Sequence, residues 1–151
     1  MAPSEPDATQ MPPLIGALLR VPSQAIHRRL IRDLNSAGFE DLKLPHMAVL
    51  QFPGPDGVRP TVLAERAGMS KQAMHQLLGT LERLGYIVRS PLSQEGGARI
   101  VHFTERGHAA YAKIADILRD IEREWVAELG PKRFAQLKAL LGLVWGSRLL
   151  R

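Results

Sequence analysis

The chain has 151 residues, 45% of them hydrophobic and 23% charged, which suits one domain with a buried core and excludes a wholly disordered protein. Twenty Lys and Arg against fifteen Asp and Glu leave a net charge of +5, the sign that favours a nucleic-acid partner. The sequence has no cysteine, no signal pattern and no apolar run approaching roughly 18 residues, so disulfides are excluded and a soluble cytoplasmic protein without a membrane span is expected.

The first part of the chain predicts a tail followed by helices. Residues 1–11, rich in Ala, Pro and polar residues, are expected to form a mobile tail. Apolar residues recur at helical spacing over residues 14–35, and Gly38 is expected to end that stretch. Pro22 lies inside it and predicts either a kink or the start of a second segment. A short helix over residues 46–52 should follow, ended by the Pro- and Gly-rich turn directly after it.

The middle of the chain predicts two short helices joined by a tight turn. Residues 60–66 have a helical pattern that Gly68 should interrupt. Ser70 is a good N-cap for a second helix running to about Leu84, and Gly85 should end that helix. Two short helices around a glycine-containing turn are typical of a helix-turn-helix motif.

The second of these helices is predicted to be two-faced. One face is apolar and needs a core, and it comprises Met74, Leu77, Leu78, Leu81 and Leu84. The opposite face carries hydrogen-bonding groups without carboxylates, and it comprises Lys71, Gln72, His75, Gln76 and Thr80. A solvated helix face more often mixes Glu with Lys, so this face suits an element that lies in the negatively charged major groove of DNA.

A β-hairpin is predicted directly after the helix-turn-helix motif. Residues 86–89 are β-branched and aromatic, residues 93–97 are typical of a turn, and residues 99–103 predict a returning strand. Thr104 is expected to cap a long helix after the hairpin. A hairpin in this position is the wing of a winged helix-turn-helix domain.

The last third of the chain predicts a surface that needs a partner. Residues 104–129 predict one helix of about 39 Å at about 1.5 Å per residue. Its apolar stripe extends beyond what a compact winged domain covers, and it comprises Ile114, Ile117, Leu118, Ile121, Trp125 and Val126. A further helix beginning at Pro131 is also apolar, with Phe134, Leu137, Leu140, Leu141, Val144, Trp145 and Leu149. Together with residues 14–19 these side chains favour a homodimer; an intramolecular helix bundle is the alternative.

Three blocks of sequence, in this order and at these separations, resemble the MarR family of winged helix-turn-helix regulators. They are LAERAGMSKQ at 63–72, LERLGY at 81–86 and FTERG at 103–107. The resemblance covers about residues 14–149. It implies a mainly α fold with a small β-hairpin wing, in which a single domain spans residues 12–151. Residues 12–37 and 104–151 would form dimerisation helices, and residues 44–103 would form the winged helix-turn-helix.

The resemblance implies a sequence-specific transcriptional regulator that binds double-stranded DNA as a homodimer on a pseudo-palindromic operator. The half-sites would lie about one helical turn apart, roughly 34–36 Å. Repression with release by a small molecule is the family's commoner mode of action. The residues expected to contact DNA are Arg59, Ser70, Lys71, Gln72, His75, Gln76, Arg89 and Arg99. For Ser70, the role of N-cap competes with that of a base contact.

The predicted wing departs from the family pattern. An arginine that enters the minor groove usually precedes the returning strand, and Glu95, Gly96 and Gly97 occupy those positions here. Arg89 and Arg99 would remain as the phosphate or groove contacts. The altered wing keeps one alternative function open, a winged-helix module that binds a protein partner and does not itself contact DNA.

The resemblance also implies an effector cleft between the dimerisation helices and the winged domain. Its candidate lining residues are equally explained as ordinary core, and they are Ile26, Leu30, His46, Met47, Tyr111 and Ile114. No cofactor is implied.

The sequence does not favour an enzyme or a metal protein. No two of the five histidines are spaced by three or four residues on one helix, as a metal site would require. There is no phosphate-binding glycine loop and no nucleophile motif. Asp116, Asp120 and Glu124 recur at four-residue spacing among basic residues, which indicates a solvated, salt-bridged helix face.

Overall fold

The computed structural model describes residues 12–50, 54–90 and 99–147. Across these ranges it has six α-helices and one two-stranded sheet, which confirms the mainly α fold with a hairpin. The helices are α1 Ile15–Ser36, α2 Met47–Leu50, α3 Pro60–Ala67, α4 Lys71–Arg83, α5 Glu105–Leu129 and α6 Pro131–Trp145. A 3₁₀ turn, Leu44–His46, precedes α2, and the strands are β1 Ile87–Arg89 and β2 Val101–Phe103. The predicted tail, residue 149 and the end of the predicted helix at Phe52 lie outside the described residues.

Helix α1 runs unbroken through Pro22. A proline inside a helix removes one backbone donor, which leaves the carbonyl four residues earlier without its usual partner. The prediction that a second segment starts there is wrong. The helix ends as expected, since Gly38 has a φ of 93° and the Phe39 amide donates to the Leu34 carbonyl at 3.0 Å.

The helix-turn-helix forms as predicted. Gly68 ends α3 in the left-handed conformation, with a φ of 61°. The apolar face of α4 packs into the core, where Met74, Leu78 and Leu81 are completely buried. Leu77 and Leu84 are partly buried at the edge of this core. The polar face of α4 is therefore directed away from the rest of the domain.

The wing begins as a short antiparallel pair in which Ile87 faces Phe103 and Arg89 faces Val101. Each strand is three residues long, which is shorter than predicted. Val58, just before α3, forms an isolated bridge to Val101 on the other edge of β2. Two backbone hydrogen bonds hold this bridge. The Gly57 amide donates to the Val101 carbonyl at 2.8 Å, and the Val101 amide donates to the Val58 carbonyl at 3.0 Å. The predicted turn at residues 93–97 lies outside the described residues.

Helices α1, α5 and α6 pack on one another within the chain. Ile114, Ile117 and Ile121 of α5 are buried, and Trp125 packs edge-on against Phe134 of α6 with ring centroids 6.4 Å apart. Part of the α5 stripe is therefore covered within the chain, which the intramolecular alternative also predicts. Apolar side chains stay exposed at the start of α1 and along α6, and they are Leu14, Ile15, Leu18, Leu19, Val21, Leu140, Leu141, Leu143, Val144 and Trp145.

Candidate nucleic-acid interface

The outer face of α4 presents four long polar side chains to solvent. Lys71, Gln72, His75 and Gln76 are all exposed, on the side opposite the buried Met74, Leu78 and Leu81. The described first turn of α4 contains no acidic residue. Lys71 and the positive end of the helix dipole therefore act together on any anion that approaches this end.

Ser70 caps α4, as the sequence predicts. Its Oγ accepts a hydrogen bond from the Ala73 amide at 3.1 Å, and its backbone is extended. This bond satisfies one of the amides that a helix N-terminus leaves without an intrahelical partner. A contact from Ser70 to a base would compete with this bond.

The acidic residue on α4, Glu82, is neutralised by Arg89 of the neighbouring strand. The Arg89 guanidinium donates to Glu82 Oε2 from Nη2 at 2.6 Å and from Nε at 3.1 Å. The Arg89 amide also donates to Glu82 Oε1 at 3.0 Å. These bonds from Arg89 hold the pKa of Glu82 below its ordinary value. Arg89 is predicted to contact DNA, yet its side chain is only 15% exposed and is committed to this pair.

The other two predicted arginines lie near the base of the wing. Arg59 is exposed directly before α3, and Arg99 is exposed just before β2. The base itself is held by Asp56, whose Oδ1 accepts from the Phe103 amide at 2.9 Å and lies 3.6 Å from His102 Nδ1. Glu95, Gly96 and Gly97, the residues at which the wing departs from the family pattern, lie outside the described residues.

A cluster around Asp41 was not foreseen. Asp41 Oδ1 accepts from the Tyr86 hydroxyl at 2.5 Å, and Oδ2 accepts from Arg106 Nη2 at 2.8 Å. The Arg106 guanidinium also lies 4.5 Å from the centre of the Tyr86 ring. Burial and the bond to Asp41 raise the pKa of Tyr86 above its ordinary value. Separations of 45 and 65 residues leave no local pattern in the sequence that would reveal these contacts.

The structure places the six residues proposed for an effector cleft in three different surroundings. Leu30, His46, Met47 and Ile114 are buried in the core. His46 Nδ1 accepts from the Lys43 amide at 3.0 Å, and burial lowers the pKa of His46. Ile26 lines a groove with α5 and α6, while Tyr111 lies against Gly54 and Phe103.

A cavity lies between one face of α1 and Leu44 of the 3₁₀ turn. It measures about 710 Å³ and is lined by Gln24, His27, Arg28, Ile31, Arg32, Asn35 and Leu44. The Asn35 Oδ1 atom is buried and accepts no hydrogen bond. Sequence reasoning missed this cavity because its polar residues have the spacing of an ordinary solvated helix face.

Comparison with known proteins finds a match for the segment that contains α3, α4 and β1. Residues 40–100 match the sequence model of the MarR family. The winged helix-turn-helix part of the chain is therefore similar to the MarR family. The resemblance noted in the sequence is confirmed over this segment, and the match supports a DNA-binding transcriptional regulator. No curated protein sequence matches the chain.

Several solved structures share the fold over most of the chain. A Mycobacterium tuberculosis MarR family protein, Rv2887, in complex with salicylic acid has a TM-score of 0.65 at 23% identity, covering 90% of this chain and 98% of that one. The S. aureus MepR–DNA complex has a TM-score of 0.70 at 20% identity, covering 88% and 96%. Wild-type MarR from E. coli has a TM-score of 0.67 at 21% identity, covering 89% and 98%. Across the described residues of this chain, no helix has the length and apolarity to cross a membrane.

The cap at Ser70 can be separated from any role in DNA contact by its effect on stability. Ser70→Ala should lower the free energy of unfolding by about 0.5–2 kcal/mol, because the Ala73 amide loses its acceptor. Ser70→Asp should keep the stability of the parent protein, since an aspartate accepts the same bond and its charge suits the helix N-terminus. Urea denaturation measures both.

Ser23→Ala is the matched control, because Ser23 is an exposed serine inside α1. It should change the free energy of unfolding by less than about 0.5 kcal/mol. Equal stabilities of Ser70→Ala and the parent protein, or of the two Ser70 variants, would contradict the capping role.

Proposed function

We propose that this protein is a sequence-specific transcriptional repressor that binds a pseudo-palindromic DNA operator as a homodimer and responds to a small ligand. The observation that carries the proposal is the outer face of α4. Four exposed polar side chains project from a helix whose opposite face is locked into the core, within the segment that matches the MarR family. A polar helix face whose exposed first two turns carry no carboxylate fits the major groove of DNA.

The side chains on this face match the donor and acceptor patterns of base edges. Gln72 and Gln76 each carry an amide that pairs with adenine through two hydrogen bonds, and Lys71 donates to the guanine acceptors. Each such contact discriminates against a wrong base by about 1–3 kcal/mol. His75 lies between these residues and completes the contacting face. Arg59 and Arg99 are proposed to bind phosphates, which orient the protein without selecting a sequence.

The exposed apolar surfaces of α1 and α6 support the homodimer. Leu14, Leu143 and Trp145 are 73%, 76% and 69% exposed, among further apolar side chains on the same two helices. A soluble monomer rarely exposes an apolar area of this kind, so a second copy is the proposed cover. Residues 12–37 and 104–151 would then form the dimerisation part, and residues 44–103 the part that binds DNA.

The cavity beside α1 supports a response to a small anionic molecule. Arg28 makes no ion pair in the described part of the chain, and the Asn35 Oδ1 atom has no donor. Arg28 would pair with a carboxylate, Asn35 would accept a hydroxyl or amine hydrogen, and Ile31 would pack against a ring. Two solved complexes of Rv2887 contain salicylic acid and p-aminosalicylic acid, which are molecules of this class. The cleft proposed around Tyr111 and Met47 stays a prediction.

DNA binding is tested first, by fluorescence anisotropy over a salt series. We expect preference for one site in the DNA upstream of the protein's own coding region, of about 10³ or more over scrambled DNA, with a steep loss of affinity as salt rises. Lys71→Ala combined with Gln72→Ala should lower that preference at least about tenfold. Lys132→Ala combined with Gln136→Ala removes the same groups from α6 and should leave the preference unchanged.

Equal and weak binding to both DNAs would contradict sequence-specific DNA binding. A protein-interaction module would then be the better account. In that case a protein partner captured by the parent protein should also be captured by the double variant at Lys71 and Gln72.

The homodimer is tested by sedimentation velocity at micromolar concentration. The protein should have twice the chain mass of 16.7 kDa, and Trp145→Glu should shift it towards the monomer, because burying an unpaired charge in an apolar interface is costly. Val88→Glu is the matched control, since Val88 is an exposed apolar residue on the wing and should not affect association. A parent protein with the mass of one chain would contradict the homodimer and favour the intramolecular bundle.

The ligand response is tested by titrating salicylate, as a probe, into the parent protein and into the protein–DNA complex. Binding measured by calorimetry should weaken about tenfold or more in Arg28→Gln, because a hydrogen bond to a charged group is lost. Arg20→Gln removes an exposed charge of α1 outside the cavity and should bind like the parent protein. Equal affinity of all three proteins would exclude this cavity as the salicylate site.

A further inference from the structure

The chain that leaves α4 is attached to the beginning of α5 at three consecutive carbonyls. The Leu84 carbonyl accepts from Arg106 Nη1 at 2.8 Å, and the Gly85 carbonyl accepts from the Thr104 hydroxyl at 2.6 Å. The Tyr86 carbonyl accepts from the Thr104 amide at 3.1 Å. We call these carbonyls and their donors the α4–α5 junction. It fixes one end of the proposed DNA-binding helix to a helix of the proposed dimerisation part.

The junction leaves almost no free space. A Cβ atom on Gly107, in the first turn of α5, would lie 1.9 Å from the Tyr86 carbonyl oxygen and 2.8 Å from the Phe103 ring. Only a glycine therefore allows α5 to approach this closely. A contact with so little clearance transmits a movement of either helix to the other, because a packed core does not deform continuously.

Asp41 brings α1 into the same arrangement. It lies in the turn after α1, and its carboxylate holds both the Arg106 guanidinium and the Tyr86 hydroxyl, at 2.8 and 2.5 Å. Phe39 of the same turn packs against the Tyr86 ring, with centroids 6.3 Å apart. Asp41 thus connects the end of α1, the exit of α4 and the start of α5.

We propose that Asp41 is a positioning residue, which sets the orientation of α4 relative to α1 and α5 by holding Arg106 on the Leu84 carbonyl. Through this link a movement of the proposed dimerisation helices changes the affinity for DNA. The inference rests on the proposed function, since the orientation of α4 matters for affinity only if α4 contacts DNA.

The N-terminal end of α4 is the part that moves most when the helix tilts about its C-terminal end, where this link lies. The thirteen residues of α4 span about 20 Å, so a tilt of about 5° at its exit moves Lys71 by about 1.7 Å. The donor–acceptor distance in a hydrogen bond varies over a range of only about 0.5 Å, so a displacement of that size breaks hydrogen bonds. Small angular changes at Leu84 therefore decide whether Lys71 and Gln72 reach their bases.

The Asp41–Arg106 pair contributes little to the stability of the fold, so its effect on the orientation of α4 can be tested without unfolding the protein. Its side chains are 30% and 45% exposed, and an ion pair this exposed stabilises a fold only slightly. Asp41→Asn keeps the size of the side chain and an acceptor for the Tyr86 hydroxyl, yet it removes the charge that holds Arg106. The variant should therefore fold normally with α4 less firmly oriented.

The experiment combines operator affinity with a distance inside one chain. The sequence has no cysteine, so Glu65→Cys on α3 and Ala112→Cys on α5 place two spin labels without further changes. Labelled protein is diluted with unlabelled protein so that electron–electron resonance reports distances within single chains. Asp41→Asn should broaden this distance distribution and lower operator affinity by about 2- to 30-fold at an unchanged unfolding midpoint.

Two further variants define the comparison. Arg106→Lys keeps the charge but loses the planar guanidinium, which donates to the Leu84 carbonyl from Nη1 and to Asp41 from Nη2. It should therefore reproduce the effects of Asp41→Asn even where the latter folds poorly. Glu122→Gln breaks a different exposed ion pair, with Lys138 at 2.8 Å, and should leave distance and affinity unchanged.

The outcomes separate this inference from the proposed function. Distances and affinity like those of the parent protein in both Asp41→Asn and Arg106→Lys would overturn the positioning role. A loss of affinity that only follows a loss of folded protein would also overturn it. A parent protein without operator preference would contradict the proposed function, and the distance distributions would still decide whether Asp41 orients α4.

Discussion

The burial of one face of α4 is the constraint on which the rest of the structure depends. Met74, Leu78 and Leu81 are completely buried, and each contributes roughly 1.5–3 kcal/mol relative to an exposed side chain. This sum is larger than the contribution of a helix cap or an exposed ion pair. Rotating α4 about its axis would expose these side chains, so packing keeps Lys71, Gln72, His75 and Gln76 on the outside.

Helix α5 contacts both the exit of α4 and the core that includes α1. Its first turn is hydrogen bonded to the exit of α4, while Ile114, Ile117 and Ile121 further along pack within the chain as part of the core that includes α1. One continuous helix therefore connects the exposed apolar surfaces with the polar face of α4. A regulator that changes affinity by moving its subunits needs such a rigid element between the two.

The features that the sequence predicted correctly are those determined by neighbouring residues. Ser70 and Thr104 cap helices through amides three residues away, and Gly68 adopts a backbone conformation that other residues avoid. The features that it missed depend on distant parts of the chain, such as the Asp41 cluster and the cover of the α5 stripe. Continuity through Pro22 was also open, because a proline inside a helix removes one hydrogen bond without necessarily ending the helix.

The pair between Glu82 and Arg89 explains how an acidic residue is tolerated on α4. Glu82 lies seven residues after His75, and therefore two turns along the same side of the helix. The bonds from Arg89 lower the pKa of Glu82, so a phosphate that drew Arg89 away would leave an unpaired carboxylate beside the DNA. That cost favours Arg89 as the residue that neutralises Glu82. Arg99 is exposed and acts on Glu82 only through its charge, so it is then the better candidate for the phosphate contact at the base of the wing.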